Sequence, residues 1–369
     1  GNPCRGGEGP GGGGGGPTPR MAARSFHGSG SAEMAECWPE EVLALLSAIP
    51  KPKPGELPPV QPAHEGLRLQ CGVAQIPHPR KAKTGGEDSF FLCGQGSAVG
   101  VADGVGEWGW RFRINPRSFA DELMMGARRT ANSTMEDTAL SARKRASAML
   151  RGGYDTATCF GSATALVVAM DARGKELGIA NLGDSGLRQL RFEHAARAGG
   201  GLKIVHKTRE QQHVFNCPFQ LAHLPQQDDF ERLLAEGKTA LVQAVKSNRP
   251  TSQDSPDDAD LYSCRVREGD LLILGTDGLF DNIHDKELCQ LLSQVVSPLD
   301  VSGQREGGSR EYTDPHIIAS AIAMAAFHRS KDKCARTPFT LHAKNVGLYH
   351  VGGKMDDITV IAAWVVRRS

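Results

Sequence analysis

Apolar residues in this chain gather in short runs cut by Gly and Asp, with a few helical stripes between them. Phe90-Phe91-Leu92-Cys93 and Ala98-Val99-Gly100-Val101-Ala102 have the length and continuity of buried strands. Ser162 to Met170 is rich in strand-forming residues, Asp171-Ala172-Arg173-Gly174 is a turn signal, and Leu177 to Leu182 returns, which predicts a hairpin. Leu187 to Phe192 continues as a third strand. Leu271 to Leu274 is a further buried strand and Ile358 to Val366 the last. Helical spacing of Phe119, Leu123 and Met124 predicts a helix over Pro116 to Arg129, with Asp121 and Glu122 in its first half. Further helices are expected around 138–150, 285–296 and 315–329. Strands, then helices, then strands, joined by hairpins rather than by regular βαβ alternation, predict an α+β fold with mainly antiparallel sheets.

The pattern starts near Leu67. Before it, Gly11 to Gly16 is an unbroken glycine run and residues 50–64 hold six prolines. Such a stretch buries too little apolar surface to offset its ordering entropy, so residues 1–64 are expected to be a disordered lead and residues 65–369 one domain. Arg5, Arg20 and Arg24, with few acids among them, are compatible with a transit peptide, and equally with a plain disordered tail. The polar stretches 249–260 and 300–312 read as exposed loops.

Lys plus Arg number 43 against 42 Asp plus Glu, so the net charge of +1 gives no electrostatic case for nucleic acid or an anionic membrane. No apolar stretch approaches the roughly 20 residues of a membrane span. The nine cysteines are odd in number and form no Cys-x-x-Cys pair, which disfavours a disulfide framework or a zinc site. Cys159 and Cys289, among apolar neighbours, read as core residues.

Candidate chemistry lies in four acidic signatures far apart in the chain: Gly86-Glu87-Asp88, Ala102-Asp103-Gly104, Thr276-Asp277-Gly278 and Asp356-Asp357. Each ends or precedes an apolar run. One alone is a common turn dipeptide. Several carboxylates converging at strand ends require a cation, and carboxylates without a His or Cys cluster select Mg2+ or Mn2+ over zinc. Two such ions can acidify a shared water, which attacks phosphorus in line. Gly183-Asp184-Ser185-Gly186 has the look of a serine-protease loop but lacks a suitable His and Asp upstream. No Cys is followed six residues later by Arg, as a cysteine-phosphatase loop needs.

In this order, the signatures resemble the metal-dependent Ser/Thr protein phosphatases of type 2C over roughly 70–360. The resemblance also takes in Gly161-Ser162-Ala163-Thr164-Ala165, Ala180-Asn181-Leu182-Gly183-Asp184-Ser185-Gly186 and Gly275-Thr276-Asp277-Gly278-Leu279-Phe280-Asp281-Asn282. Glu210-Gln211-Gln212-His213, Phe215 to Leu221, Thr337-Pro338-Phe339 and Gly352-Gly353-Lys354-Met355-Asp356-Asp357 are similar to the organellar branch of that family. The resemblance implies a central sandwich of two antiparallel sheets flanked by helices. It implies two Mg2+ or Mn2+ ions per site, with Asp103 bridging both. Glu87 and the Gly104 carbonyl would serve one ion, and Asp277 and Asp356 the other. Asp88 and Asp357 would support these ligands, and Asp184 and Asp281 would fall where some members bind a third ion.

The implied activity is hydrolysis of phosphoserine and phosphothreonine in phosphoprotein substrates by a monomeric enzyme. An inactive phosphoprotein-binding scaffold is the alternative, though such a protein is expected to lose metal carboxylates. The branch implies a mitochondrion or plastid, with cytoplasm or nucleus as the other options. Where many members carry a phosphate-clamping Arg, this chain has Lys83, a point charge without the bidentate fork. His213 and Asn216 are expected to contact substrate or fix a loop, and Trp108 and Trp110 to shape the site rim or pack the next helix.

Overall fold

The computed structural model describes residues 66–193, 201–247, 253–296 and 312–368. The expected disordered lead over 1–64 and nearly all of the 300–312 loop lie outside the described residues. β1 (Leu67–Ile76) is followed by a single 3-10 turn (Pro79–Lys81), then β2 (Asp88–Leu92) and β3 (Ala98–Asp103). Three helices come next: α1 (Glu107–Phe112), α2 (Pro116–Ser133) and α3 (Ala142–Thr156). Asn115 caps α2 from its side chain with Pro116 in the first turn, and Ser141 caps α3, so both starts are written in the sequence.

The middle of the chain is mostly strand: β4 (Gly161–Ala163), β5 (Ala165–Met170), β6 (Glu176–Leu182), β7 (Gly186–Glu193) and β8 (Gly201–Lys207). Three short pieces, β9 (Gln212–Val214), β10 (Cys217–Pro218) and β11 (Leu221–His223), lead to α4 (Phe230–Ala235) and α5 (Thr239–Ser247). β12 (Asp260–Arg265) and β13 (Leu271–Gly275) precede α6 (Asp277–Phe280), α7 (Asp285–Val295), α8 (Pro315–Lys331), α9 (Pro338–Asn345) and the final β14 (Ile358–Arg367).

Two five-stranded antiparallel sheets result, ordered β1-β14-β13-β7-β8 and β12-β6-β5-β3-β2. Their facing side chains follow the period of two: Val99 and Val101, Leu166, Val168 and Met170 from one sheet meet Leu272 and Leu274, Ile361, Ala363 and Val365 from the other, all buried. The opposite face of the second sheet packs under α2 and α3 through Phe119, Leu123, Met124, Met149 and Leu150. α8 covers β1 and β14, and its small Ala-rich face suits a close approach: a Cβ on Gly72 would sit 2.1 Å from the His316 backbone nitrogen. The architecture is therefore the α+β sandwich flanked by helices that the resemblance implied.

Several details differ from the sequence expectation. Ser162 to Met170 is two strands, because the Thr164 amide turns aside to donate to the Asp103 carbonyl at 2.9 Å. β4 then pairs with β11, and β5 stays in the large sheet. β7 does not extend the hairpin's sheet; Gly183, at φ +104°, lets the chain cross to the other layer, where β7 pairs with β13. The helix expected around 138–150 runs later, over Ala142–Thr156. Cys159 and Cys289 are only half-buried, whereas Cys93 is buried. The described part of the 249–260 stretch is not a free loop: the Asp254 carboxylate accepts from the Gln220 amide at 2.9 Å and pairs with His213.

Candidate active site

The site lies at one end of the sandwich, where strands of both layers deliver carboxylates. In the second sheet, Asp88 opens β2 directly opposite Asp103, which closes β3. Asp88 is buried, and its Oδ2 accepts from Thr276 Oγ1 at 2.9 Å and Thr359 Oγ1 at 2.7 Å. Those threonines end β13 and begin β14, so one carboxylate ties the two layers together. Burial, reinforced by Asp357, pushes the Asp88 carboxyl up to about 8.

In the first sheet, β13 runs into the turn that carries Asp277 and Asp281. Gly278 is needed there, since a Cβ would lie 2.0 Å from the Asp357 carbonyl oxygen. Asp357 is a buried hub: its Oδ1 accepts from the His78 amide at 2.7 Å, and its Oδ2 from the Glu87 amide and Lys81 Nζ, each at 2.9 Å. Gly86, at φ +84°, passes close beneath it, and a Cβ there would approach Asp357 Oδ1 to 2.8 Å. The loop from β1 to β2 is thereby pinned over the site.

Two lysines stand among the acids. Lys81 Nζ pairs with Glu87 and Asp357 and lies 3.9 Å from Asp356. Lys354 Nζ pairs with Asp277, lies 2.8 Å from Asp281 and 3.5 Å from Asp356. Charge crowding and burial shift the carboxyls of the cluster. Burial and then Asp88 and Asp277 hold the Asp103 carboxyl well above its ordinary range. Burial and Asp277 likewise raise Asp184. Burial lifts Asp281 to about 7 and Asp356 to about 6 despite Lys354. At Asp277 burial also pushes upward, but the Lys354 ammonium outweighs it and the carboxyl is lowered.

The structure thus brings together Glu87, Asp88, Asp103, Asp184, Asp277, Asp281, Asp356 and Asp357. Gly104 lies with them, its amide directed at the Glu87 carbonyl at 3.3 Å and its Cα too close to the Glu87 and Pro116 carbonyls for any side chain. Lys83, the expected phosphate contact, is not in the cluster: it is exposed and makes no ion pair among the described residues, and Lys81 faces the acids instead. Nothing in the sequence singles out Lys81, and Lys354 stands there only as part of the segment that ends in Asp356-Asp357. Trp108 is buried, donating from Nε1 to Ser162 Oγ at 2.7 Å, whereas Trp110 is exposed. His213 stacks on Phe219, and Asn216 takes a left-handed turn at φ 58°, both fixing the β9–β10 hairpin.

Among the described residues, no three His, Cys, Asp or Glu side chains close tightly enough on one point to hold an ion as they stand; the carboxylates close on the two ammonium groups. The donor set still fits hard divalent cations. It is all oxygen, eight carboxyls face two ammoniums, and the buried Asp88 Oδ1 and Asp277 Oδ1 have no hydrogen-bond partner.

A sandwich of this topology with an acidic cluster at its strand ends has clear relatives. The chain is 32% identical over 299 residues to a probable protein phosphatase 2C 55 of Arabidopsis thaliana, covering 81% of this chain and 52% of the relative. It is 34% identical over 310 residues to the protein phosphatase PTC7 homolog of Xenopus laevis, covering 81% and 89%. Among solved structures, the photosystem II phosphatase PBCP matches with a TM-score of 0.57 at 28% identity, covering 80% of this chain and 98% of the other. No family model matches the chain. The protein belongs to the protein phosphatase 2C family. It spans only 52% and 59% of the length of two Arabidopsis relatives, the probable protein phosphatases 2C 55 and 2C 80. No helix among the described residues is long and apolar enough to cross a membrane.

Proposed function

We propose that this protein is a phosphoprotein phosphatase that hydrolyses phosphoserine and phosphothreonine with divalent metal ions, Mg2+ or Mn2+, two per site. The observation that carries it is the convergence of eight carboxyls from both sheets, two of them with unpartnered buried oxygens, in a chain of this family. Asp103, Glu87 and the Gly104 carbonyl would hold one ion, and Asp103, Asp277 and Asp356 the other. When bound, such a pair supplies Lewis-acid charge and an acidified water to an in-line displacement at phosphorus.

The chain's own residues do the positioning. Thr276 and Thr359 fix Asp88, and Asp88 in turn fixes the layer spacing on which the Asp103–Asp277 separation depends. Asp357 holds the Glu87 backbone in place. Lys81, partly exposed at the edge of the cluster, takes the phosphate-attracting role expected of Lys83. The similarity to PTC7 homologs and to a photosystem II phosphatase supports a mitochondrial or plastid location, tested by imaging a fluorescent fusion of the full chain.

Purified protein should release phosphate from a phosphothreonine peptide only when Mn2+ or Mg2+ is added. Asp103→Asn should lower kcat by two orders of magnitude or more, the scale of losing a principal electrostatic stabiliser, with an unchanged circular dichroism spectrum. Full turnover in excess chelator, or an unimpaired Asp103→Asn enzyme, would overturn the reading.

A further inference from the structure

Between the start of α9 and the start of β14 the chain makes an excursion that leaves from the acidic cluster and returns to it. At its start the Phe339 amide donates to the Asp281 carbonyl at 3.1 Å; at its end Lys354 Nζ lies 2.8 Å from the Asp281 carboxylate. The outward limb is α9, whose eight residues rise about 12 Å. The return limb, 345–353, holds no Asp, Glu, Lys or Arg. Even so, Tyr349 is 94% exposed, and Val346, Leu348 and Val351 are each more than half exposed. The limb is firmly built. The Leu348 amide donates to the Ala343 carbonyl at 2.9 Å and the Gly347 amide to the Lys344 carbonyl at 3.1 Å. At its base the Gly353 amide donates to the Asp332 carbonyl at 2.8 Å, and Gly352, at φ +89°, lies so close to the Lys333 backbone that no Cβ would fit. The His350 ring stands edge-on to Phe339, 4.8 Å between centroids, and the Phe339 centroid is 5.2 Å from Lys354 Nζ. An apolar surface is thus held in a fixed place beside the site.

We propose that Val346, Leu348, Tyr349 and Val351 form a docking surface for an apolar or aromatic side chain of the phosphoprotein substrate, within about five residues of the phosphorylated one. This rests on the phosphatase reading above. A phosphoryl group that reaches Asp277 and Asp356 brings its polypeptide with it, and the chain on either side must cross the rim of the cluster. The return limb is part of that rim: two glycines separate Val351 from Lys354, which itself contacts Asp277. Tyr349 stands five positions before Lys354, so the distance between them is at most about 17 Å, a span that five extended residues of substrate also cover. The chemistry of the limb selects the occupant. It has no charge to attract an acidic or basic side chain, whereas large apolar groups left in water gain free energy when an apolar partner covers them. Tyrosine suits such a contact, offering a wide face with few rotatable bonds.

Steady-state kinetics of the full chain with Mn2+ test this. The probes are p-nitrophenyl phosphate, which has no neighbouring residues, and phosphothreonine peptides of Ser, Gly and Asn with a single Leu or Tyr placed at successive positions on either side of the phosphothreonine. The wild type should favour the apolar residue at one position or two adjacent ones by about tenfold in kcat/KM over the unsubstituted peptide, the scale of partly burying one large apolar side chain. Leu348→Ser and Tyr349→Ser should cut that preference to within about twofold, and Tyr349→Phe should keep it. Each value is read as the ratio of peptide to p-nitrophenyl phosphate kcat/KM, so that a general loss of turnover cancels. A wild type indifferent to the apolar residue at every position overturns the proposal, as does a preference that survives in both serine variants. So do two other occupants: a wild-type dimer that Tyr349→Ser converts to monomer in light scattering gives the surface to a second copy, and binding to anionic lipid vesicles that is lost in Tyr349→Ser gives it to a membrane. A wild type that hydrolyses neither kind of probe overturns the phosphatase reading itself, and the proposal falls with it.

Discussion

Three side chains, two beside the site and one far from it, show how single groups set local behaviour. Lys81 and Lys83 sit two positions apart on one loop, yet only Lys81 reaches the acids. Three amides of that loop, from Thr84, Gly85 and Gly86, turn back onto the Lys81 carbonyl, at 2.9, 3.1 and 3.3 Å, so the loop curls around Lys81 and throws Lys83 outward. Lys81→Met should lower kcat/KM about tenfold or more, the scale of one charge-assisted hydrogen bond, while Lys83→Met stays within about twofold, as steady-state kinetics on a phosphopeptide would show. The family resemblance pointed to Lys83, because a matched position along a chain says nothing of which way a glycine-rich loop curls.

Glu122 makes a different point. Burial is the largest single influence and raises its carboxyl, but the donors from Cys159 and Thr158 together outweigh it and bring the group down to about 2. The Thr158 and Cys159 amides reach its Oε2 at 2.5 and 2.9 Å, joining α2 to the segment entering β4. Because the folded value lies below the ordinary 4.5, this bond stabilises the fold above about pH 4.5 and the stabilisation fades as pH falls through about 2. Glu122→Gln should therefore be less stable than wild type at pH 7, by about 1–3 kcal/mol, with the gap closing toward pH 2 in urea titrations.

At the scale of elements, legibility followed burial. The 171–174 hairpin was readable because Asp171 Oδ1 receives the Lys175 and Glu176 amides at 2.6 and 2.7 Å, a local bond that a local sequence can encode. The continuous runs of β3, β13 and β14 were readable because both faces of those strands are covered. β8, β9, β10 and β12 were not, since their half-exposed faces carry mixed residues without a clean alternation. Nor were the short helices α4 and α5, which exist by packing Phe230, Leu233, Leu241 and Val242 around Trp108, contacts far apart in sequence. The carboxylates of the site were legible as strand-end signatures; the ammonium groups among them were not, because a lysine near an acid is ordinary on any surface. The junction of β13 with α6 depends on backbone contact, and Gly278→Ala, with its Cβ 2.0 Å from the Asp357 oxygen, should cost several kcal/mol or distort the site. A thermal melt and a phosphatase assay would show both losses together, and a fully active, equally stable variant would contradict this geometry.

For the whole molecule, the acidic end is the least contented part of the fold. Eight carboxyls repel one another, and the carboxyls raised among the described residues, Asp88, Asp103, Asp184, Asp281 and Asp356, all belong to it. Any ligand that binds only the folded state stabilises it by mass action, about 2.7 kcal/mol at a hundredfold excess over Kd. Saturating Mn2+ should raise Tm by roughly 5–10 °C for a domain of this size, and chelator should reverse the gain, as calorimetry would register.

β14 lies between β1 and β13, so an interior strand of one sheet is its last strand in chain order. A growing polypeptide that has not yet delivered Ile358–Arg367 holds β1 and β13 apart with their inner edges bare, and it lacks Thr359 altogether. Such a chain is sticky before it is active, because two bare edges invite pairing with a neighbour. Synthesis or translocation that stalls short of this strand would then yield aggregate rather than a slow enzyme, with no partially working form in between.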